Sequence, residues 1–251
     1  MFKTGIWFIY FFLYLIAITP GLFKAKLLKN QGKTEEFNKF LKKVPQNWGR
    51  RLVKFAGGKV HVKGEEYIPK DEPVLIVSNH QGNFDIPILL GFLDIKFGFI
   101  SKIEVKKIPM IGTWMAHMGC IFMDRKDRRQ AVKSIINGAK SLEDGANLVI
   151  FPEGTRSKGG PVAEFKKGSF KLATKSNVTI LPVTIEGSYN MMEANDNKIT
   201  SADVYVTISE PIRVHQENSD IDSEQLAEIS RKQIVSQMKG NQIQLEKDNI
   251  K

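Results

Sequence analysis

Val74-Leu75-Ile76-Val77-Ser78-Asn79-His80-Gln81-Gly82-Asn83-Phe84-Asp85 is the stretch that decides the fold. Its first four residues are an unbroken apolar run, read as a buried strand. The polar residues that follow form a loop holding a histidine and an aspartate five positions apart. Ile86–Leu93 then reads as a helix, with Pro87 in its first turn, where a missing N–H costs little. Strand, loop and helix in this order mark an α/β protein, in which ligands bind beyond the carboxyl ends of the strands.

The same texture extends in both directions. Strands are predicted at Val60–Val62, Phe97–Ile100, Ile121–Met123, Leu148–Phe151, Thr179–Ile185 and Val204–Ile208. Arg128–Leu142 places Ala131, Val132, Ile135, Ile136, Ala139 and Leu142 on one buried helical face. Asp222 with Gln225 opens a last amphipathic helix in the manner of a capping box, and it frays after Gly240. Pro182 within Ile180-Leu181-Pro182-Val183 marks an edge strand or a bulge, and this run is assigned to shaping a pocket. The expected fold is a mixed, mostly parallel sheet flanked by helices, one domain over residues 59–251.

Residues 1–58 read differently. Ile6–Ile18 is apolar and aromatic, and Pro20-Gly21 is expected to end it as a helix at about Thr19. The uncharged run Thr4–Thr19 is shorter than the ~17–25 residues of a spanning helix. A second helix, residues 34–56, carries Phe37, Phe40, Leu41, Val44, Trp48, Leu52 and Phe55 among six lysines and arginines. Pro45 is expected to kink or split it, and Gly57-Gly58 to end it. Of the net charge of +10, residues 1–70 hold 14 Lys/Arg against 4 Asp/Glu, the whole excess; the remainder holds 23 of each. Basic residues beside an aromatic helix suit an anionic membrane surface. A monotopic helical hairpin with both apolar faces toward lipid is the preferred reading, over a spanning helix, a signal peptide or a core helix. A nucleic-acid binder would carry its basic residues through the globular part, which is neutral. The single cysteine, Cys120, rules out an internal disulfide and reads as a small strand hydrophobe. His61, His117 and His215 stand apart, without metal-ligand spacing.

Two readings compete for the loop after the first quoted strand. Asn83 or Asp85 could simply cap the following helix, leaving His80 a satisfied polar residue. Alternatively His80 is a general base whose second ring nitrogen is held by Asp85. A further island, Phe151-Pro152-Glu153-Gly154-Thr155-Arg156, favours the second reading. Gly154 lets the backbone approach a ligand, and successive N–H groups in such a turn form an anion nest. Arg156 and Thr155 would contact phosphate, whereas Glu153 would brace the loop. Arg125, at the end of Gly119-Cys120-Ile121-Phe122-Met123-Asp124-Arg125, suits bidentate phosphate binding or a surface ion pair with Asp124 or Asp127. Base, carboxylate and anion loop together suit acyl transfer to a phosphate-bearing alcohol. The chain has no Gly-x-Ser-x-Gly, so the acceptor's own hydroxyl takes the nucleophile's part.

His-x4-Asp followed by Phe-Pro-Glu-Gly-Thr-Arg resembles the glycerolipid acyltransferases, most closely the 1-acylglycerol-3-phosphate acyltransferases. Four blocks fall in the family's order over about residues 60–210. The resemblance implies His80 and Asp85 as the catalytic pair, and Lys102, Arg125 and Glu153–Arg156 as the substrate-binding set. It implies transfer of a fatty acyl group from acyl-CoA or acyl carrier protein to the sn-2 hydroxyl of lysophosphatidic acid, with glycerol 3-phosphate or another lysophospholipid as alternative acceptors. It implies no metal and no tightly bound cofactor, and a place on the cytoplasmic face of the cell membrane. A basic membrane-binding module without catalysis is the non-enzymatic alternative.

Overall fold

The computed structural model describes residues 2–216 and 219–248, with side chains placed for 2–214 and 221–238. The side chain of His215 therefore lies outside the described residues. Helices α1 (Phe2–Ile18), α2 (Pro20–Asn30) and α3 (Thr34–Ala56) precede the first strand. Then follow β1 (Lys59–Lys63), β2 (Val74–Ser78), α4 (Asp85–Phe92), β3 (Gly98–Lys102), α5 (Ile111–His117) and β4 (Ile121–Met123). The chain continues through α6 (Arg128–Glu143), β5 (Leu148–Ile150), α7 (Lys167–Ser176), β6 (Thr179–Glu186) and β7 (Asp203–Ile208). A two-stranded ribbon, β8 (His215–Gln216) with β9 (Ser219–Asp220), leads into α8 (Ser223–Asp248).

Strands β1 to β7 form a single sheet in the order β1-β7-β6-β2-β5-β3-β4. Five strands, β6, β2, β5, β3 and β4, run parallel, so their carboxyl ends share one edge. β7 is antiparallel to β6, and β1 lies parallel to β7 at the far edge. The chain leaves β2 through α4 toward β3 but leaves β5 through α7 toward β6. The connections from two neighbouring strands thus diverge, which opens a crevice at their carboxyl ends.

Each face of the sheet has its own core. Val74, Ile76, Val149, Leu181, Val183 and Ile185 face α3 and α4; Leu75, Val77, Leu148, Ile150 and Ile180 face α6, α7 and α8. Asp222 and Gln225 exchange backbone hydrogen bonds of 3.0 and 2.8 Å, the reciprocal pair of a capping box. The helix they open runs on past Gly240 to Asp248.

Several expectations need correction. α1 does end at Ile18, as Pro20-Gly21 led one to expect, but a second helix follows at once, with Pro20 at the start of α2, where its missing N–H has no helical partner to lose. Pro45 does not split α3, which is unbroken to Gly57 in the left-handed C-cap position. Nor does α3 turn its apolar face to lipid. Leu41, Leu52, Val53 and Ala56 are buried, and Gly49 packs so closely on α4 that an added Cβ would meet the Gly91 nitrogen at 2.8 Å. Pro182 is not on an edge, because β6 pairs on both sides. It marks a bulge: between the pairs Val183↔Ile208 and Ile180↔Ile212, β6 advances three residues and the strand opposite advances four. Ile180, Leu181 and Val183 are fully buried, so they fix the sheet and line no opening themselves. The short helices α5 and α7 lie in stretches where no element was expected.

Candidate active site

The loop after β2 folds around a buried carboxylate. Asp85 is fully buried, and its Oδ2 accepts the backbone N–H groups of Gln81 (2.7 Å) and Gly82 (2.9 Å). The same oxygen lies 2.6 Å from His80 Nδ1. Neither Asp85 nor Asn83 caps α4: the N-cap is Phe84, with no side-chain cap bond, and Asp85 is the first helical residue. Its carboxylate reaches back along the chain rather than forward into the helix. An acceptor already taking backbone donors holds His80 in the tautomer with the proton on Nδ1, leaving Nε2 for a substrate. The His80 side chain is 18% exposed and stacks on Phe151, with ring centroids 4.1 Å apart and planes at 16°.

The loop after β5 is tied to this one. Glu153 is buried, its Oε1 accepting the His80 N–H (2.7 Å) and its Oε2 that of Ala163 (3.0 Å). Burial pushes the Glu153 carboxyl above its ordinary range, while those two N–H groups pull it back. Both oxygens are occupied, so Glu153 has no face to offer a substrate. Ser157 and Lys158 donate their N–H groups to the carbonyls of His80 (2.8 Å) and Gln81 (3.0 Å). Asn79 fastens the first loop to the other neighbour, its amide exchanging two 2.8 Å bonds with the backbone of Ile185 on β6. The base thus rests on both flanking strands.

Cationic side chains gather at the same edge. Arg125, just beyond β4, donates from Nη1 to the Gly154 carbonyl (2.5 Å), not to Asp124 or Asp127. Asp127 instead caps α6 through the N–H groups of Arg129 and Gln130. Gly154 has φ 73°, a left-handed conformation that favours glycine, and a Cβ there would lie 2.6 Å from Lys166 Nζ, a flexible end that can move aside. Arg156 Nη1 donates to Asn83 Oδ1 (2.5 Å) and pairs with Glu193 Oε1 (3.2 Å). Glu193 also accepts the Asn83 N–H at 2.8 Å. Thr155 is exposed on the turn, and Lys102 is exposed at the end of β3, in register with Met123 of β4. All eight residues singled out from the sequence therefore belong to loops, strand ends or, for Asp85, the start of α4, at one edge of the sheet.

Sequence reasoning missed Ser188 and Glu193, both in the short turns after β6, and Lys166 before α7. Ser188 donates its hydroxyl to Asp85 Oδ1. Cys120 is buried, receives the Phe99 N–H at 3.1 Å, and burial pushes its thiol up to about 12. It is no nucleophile at neutral pH.

This site sits in known company. Residues 59–186 match the family model described as Acyltransferase. The 1-acyl-sn-glycerol-3-phosphate acyltransferase of Borreliella burgdorferi is 35% identical over 183 residues, 73% of this chain and 73% of that protein. The chloroplastic LPAT1 of Arabidopsis thaliana, with the same enzyme name, is 39% identical over 165 residues, 65% of this chain and 46% of that protein. The chain thus aligns with less than half the length of the chloroplast relative. The crystal structure of the 1-acyl-sn-glycerophosphate (LPA) acyltransferase PlsC from Thermotoga maritima superposes with a TM-score of 0.82 at 29% identity, covering 96% of this chain and 97% of that one. The chain belongs to the acyltransferase family. It is an enzyme of phospholipid biosynthesis with the fold of that crystal structure.

Proposed function

We propose that this chain transfers a fatty acyl group from a thioester, acyl-CoA or acyl carrier protein, to the sn-2 hydroxyl of lysophosphatidic acid, giving phosphatidic acid. The observation that carries the reading is the His80–Asp85 pair, with no partner on Nε2 among the described residues, on the same sheet edge as Arg125 and Arg156. In this reading His80 Nε2 takes the proton of the acceptor hydroxyl as its oxygen attacks the thioester carbonyl. Buried Asp85 stabilises the imidazolium that forms. The tetrahedral intermediate collapses by expelling the thiolate, which recovers the proton from His80. Arg125, Arg156 and Lys102 hold the acceptor phosphate, with Gly154 letting the backbone come close and Thr155 supplying a hydroxyl donor. The test is purified enzyme in detergent with labelled thioesters against a panel of acceptors. Phosphatidic acid is the expected main product; a higher kcat/KM for glycerol 3-phosphate or another lysophospholipid overturns the acceptor assignment.

Residues 1–58 are proposed as the membrane-associating segment, on the cytoplasmic face of the cell membrane, and 59–251 as the catalytic domain. Phe2–Asn30 is long and apolar enough to cross a membrane by length and composition. Trp7 and Leu15 point into the protein, whereas Ile9, Leu13, Ile16 and Phe23 are between 55% and 74% exposed. One face docks on the body while the other offers side chains worth roughly 1.5–3 kcal/mol each on burial in lipid. Because α3 is part of the core, truncation through Ala56 confounds anchoring with folding; surface substitutions separate them. Serine at Ile9, Leu13, Ile16 and Phe23 together is expected to weaken liposome flotation strongly, leaving it dependent on low salt, while the melting temperature stays near that of the parent. High salt is expected to weaken flotation of the parent without abolishing it, since only the lysine and arginine contribution is screened. A quadruple variant that floats normally rules out the anchor.

A further inference from the structure

We propose that Ser188 is a positioning residue for the base, holding the oxygen of Asp85 that His80 does not touch. The two carboxylate oxygens are served unequally. Oδ2 takes three donors: His80 Nδ1 and the N–H groups of Gln81 and Gly82. Oδ1 has one partner among the described residues, the Ser188 hydroxyl. The carboxylate plane turns about the Cβ–Cγ bond, and any such turn carries both oxygens together. The Ser188 bond anchors the second oxygen and so resists the rotation that would swing Oδ2 away from His80 Nδ1.

The serine has no competing structural task. It is fully buried and begins the 3-10 turn Ser188–Met191, but no side-chain bond caps that turn. Its other polar neighbour is Gln81 Oε1 at 3.4 Å, a much longer contact for the single hydroxyl proton. The turn is aimed by Gly187, whose φ of 89° carries the chain away from β6. Asn79 ties the end of β6 at Ile185 to the start of the base loop, so Ser188 is placed from a strand already fixed against that loop. Removing the hydroxyl leaves a buried, charged oxygen without a donor and allows the carboxylate to tilt. Both effects bear on the imidazolium in the transition state more than on substrate binding.

The inference rests on the acyl-transfer reading, and the experiment separates the two. Turnover and Michaelis constants for both substrates are measured in Ser188→Ala, Ser188→Thr, Asp85→Asn, the Ser188→Ala/Asp85→Asn double variant and His80→Ala. Ser188→Ala is expected to lower kcat about tenfold with both Michaelis constants nearly unchanged. Ser188→Thr, which keeps the hydroxyl, is expected to recover most of the loss. In the Asp85→Asn background the serine substitution is expected to add little, because its effect passes through the carboxylate. Unchanged kcat in Ser188→Ala, or an equal fold-loss with and without the Asp85 carboxylate, overturns the positioning role while leaving His80 as base. Normal turnover in His80→Ala overturns both readings.

Discussion

Alanine at His80 is expected to slow acyl transfer by about 10²–10⁴-fold, the usual contribution of a general base. The protein should stay folded and on membranes. The buried Asp85 keeps three of its four donors in this variant, the N–H groups of Gln81 and Gly82 and the Ser188 hydroxyl, so no charge is stranded. Asp85→Asn is the sharper companion. Its amide oxygen can retain the two backbone donors and His80 Nδ1–H while its NH₂ turns to the Ser188 oxygen. Geometry then survives, and what disappears is the negative charge opposite the imidazolium. Its kcat is expected to fall on the order of 10²-fold or more with the melting temperature little changed. Wild-type turnover with unchanged Michaelis constants in either variant would sink the base assignment.

The second large effect concerns the arginines. Alanine at Arg156 or at Arg125 is expected to raise the Michaelis constant for lysophosphatidic acid about tenfold or more, with that for the thioester nearly constant. One hydrogen bond to a charged group contributes about 1.5–3 kcal/mol, and 1.4 kcal/mol is a factor of ten. Arg156→Lys, which keeps the charge but loses the planar fork, should fall between alanine and the parent. Equal increases for both substrates would assign these arginines to bracing loops, a role their bonds to Gly154 and Asn83 make a serious competitor.

Much of this was legible in the sequence because the relevant signals are local. Each predicted strand of the large sheet exists, since a short apolar run between turn residues, such as Leu148–Ile150 between Asn147 and Pro152, is long enough for a buried strand and too short for a helix. Asp222 and Gln225 cap α8 through bonds three residues apart. His80, Asp85, Arg125 and Arg156 are brought to one edge because each follows or closes a parallel strand. The parts that escaped are those fixed across the chain. Nothing near Ser188 announces that its partner lies 103 positions earlier, nor does Glu193, 37 positions beyond Arg156, carry a motif. The inward face of α3 was misjudged for a related reason. Phe37, Leu41 and Leu52 show that one side is apolar, but whether that side meets lipid or protein depends on Gly49 finding Gly91 on a helix forty residues away.

The far-edge position of β1 has a consequence for how the molecule is made. Lys59 pairs with Asp203, so the first strand synthesised waits for a partner about 140 residues downstream. At translation rates of about 5–20 residues per second, that is roughly 7–30 s during which the sheet cannot be completed. The turn carrying Ser188 and the Ile185 backbone that fastens Asn79 emerge in the same late interval. Helix α1, by contrast, leaves the ribosome long before β7, with its apolar residues uncovered. With α1 as the proposed anchor, a nascent chain would reach the bilayer while still catalytically unfinished and complete its sheet there, so that attachment would precede activity in the life of each molecule.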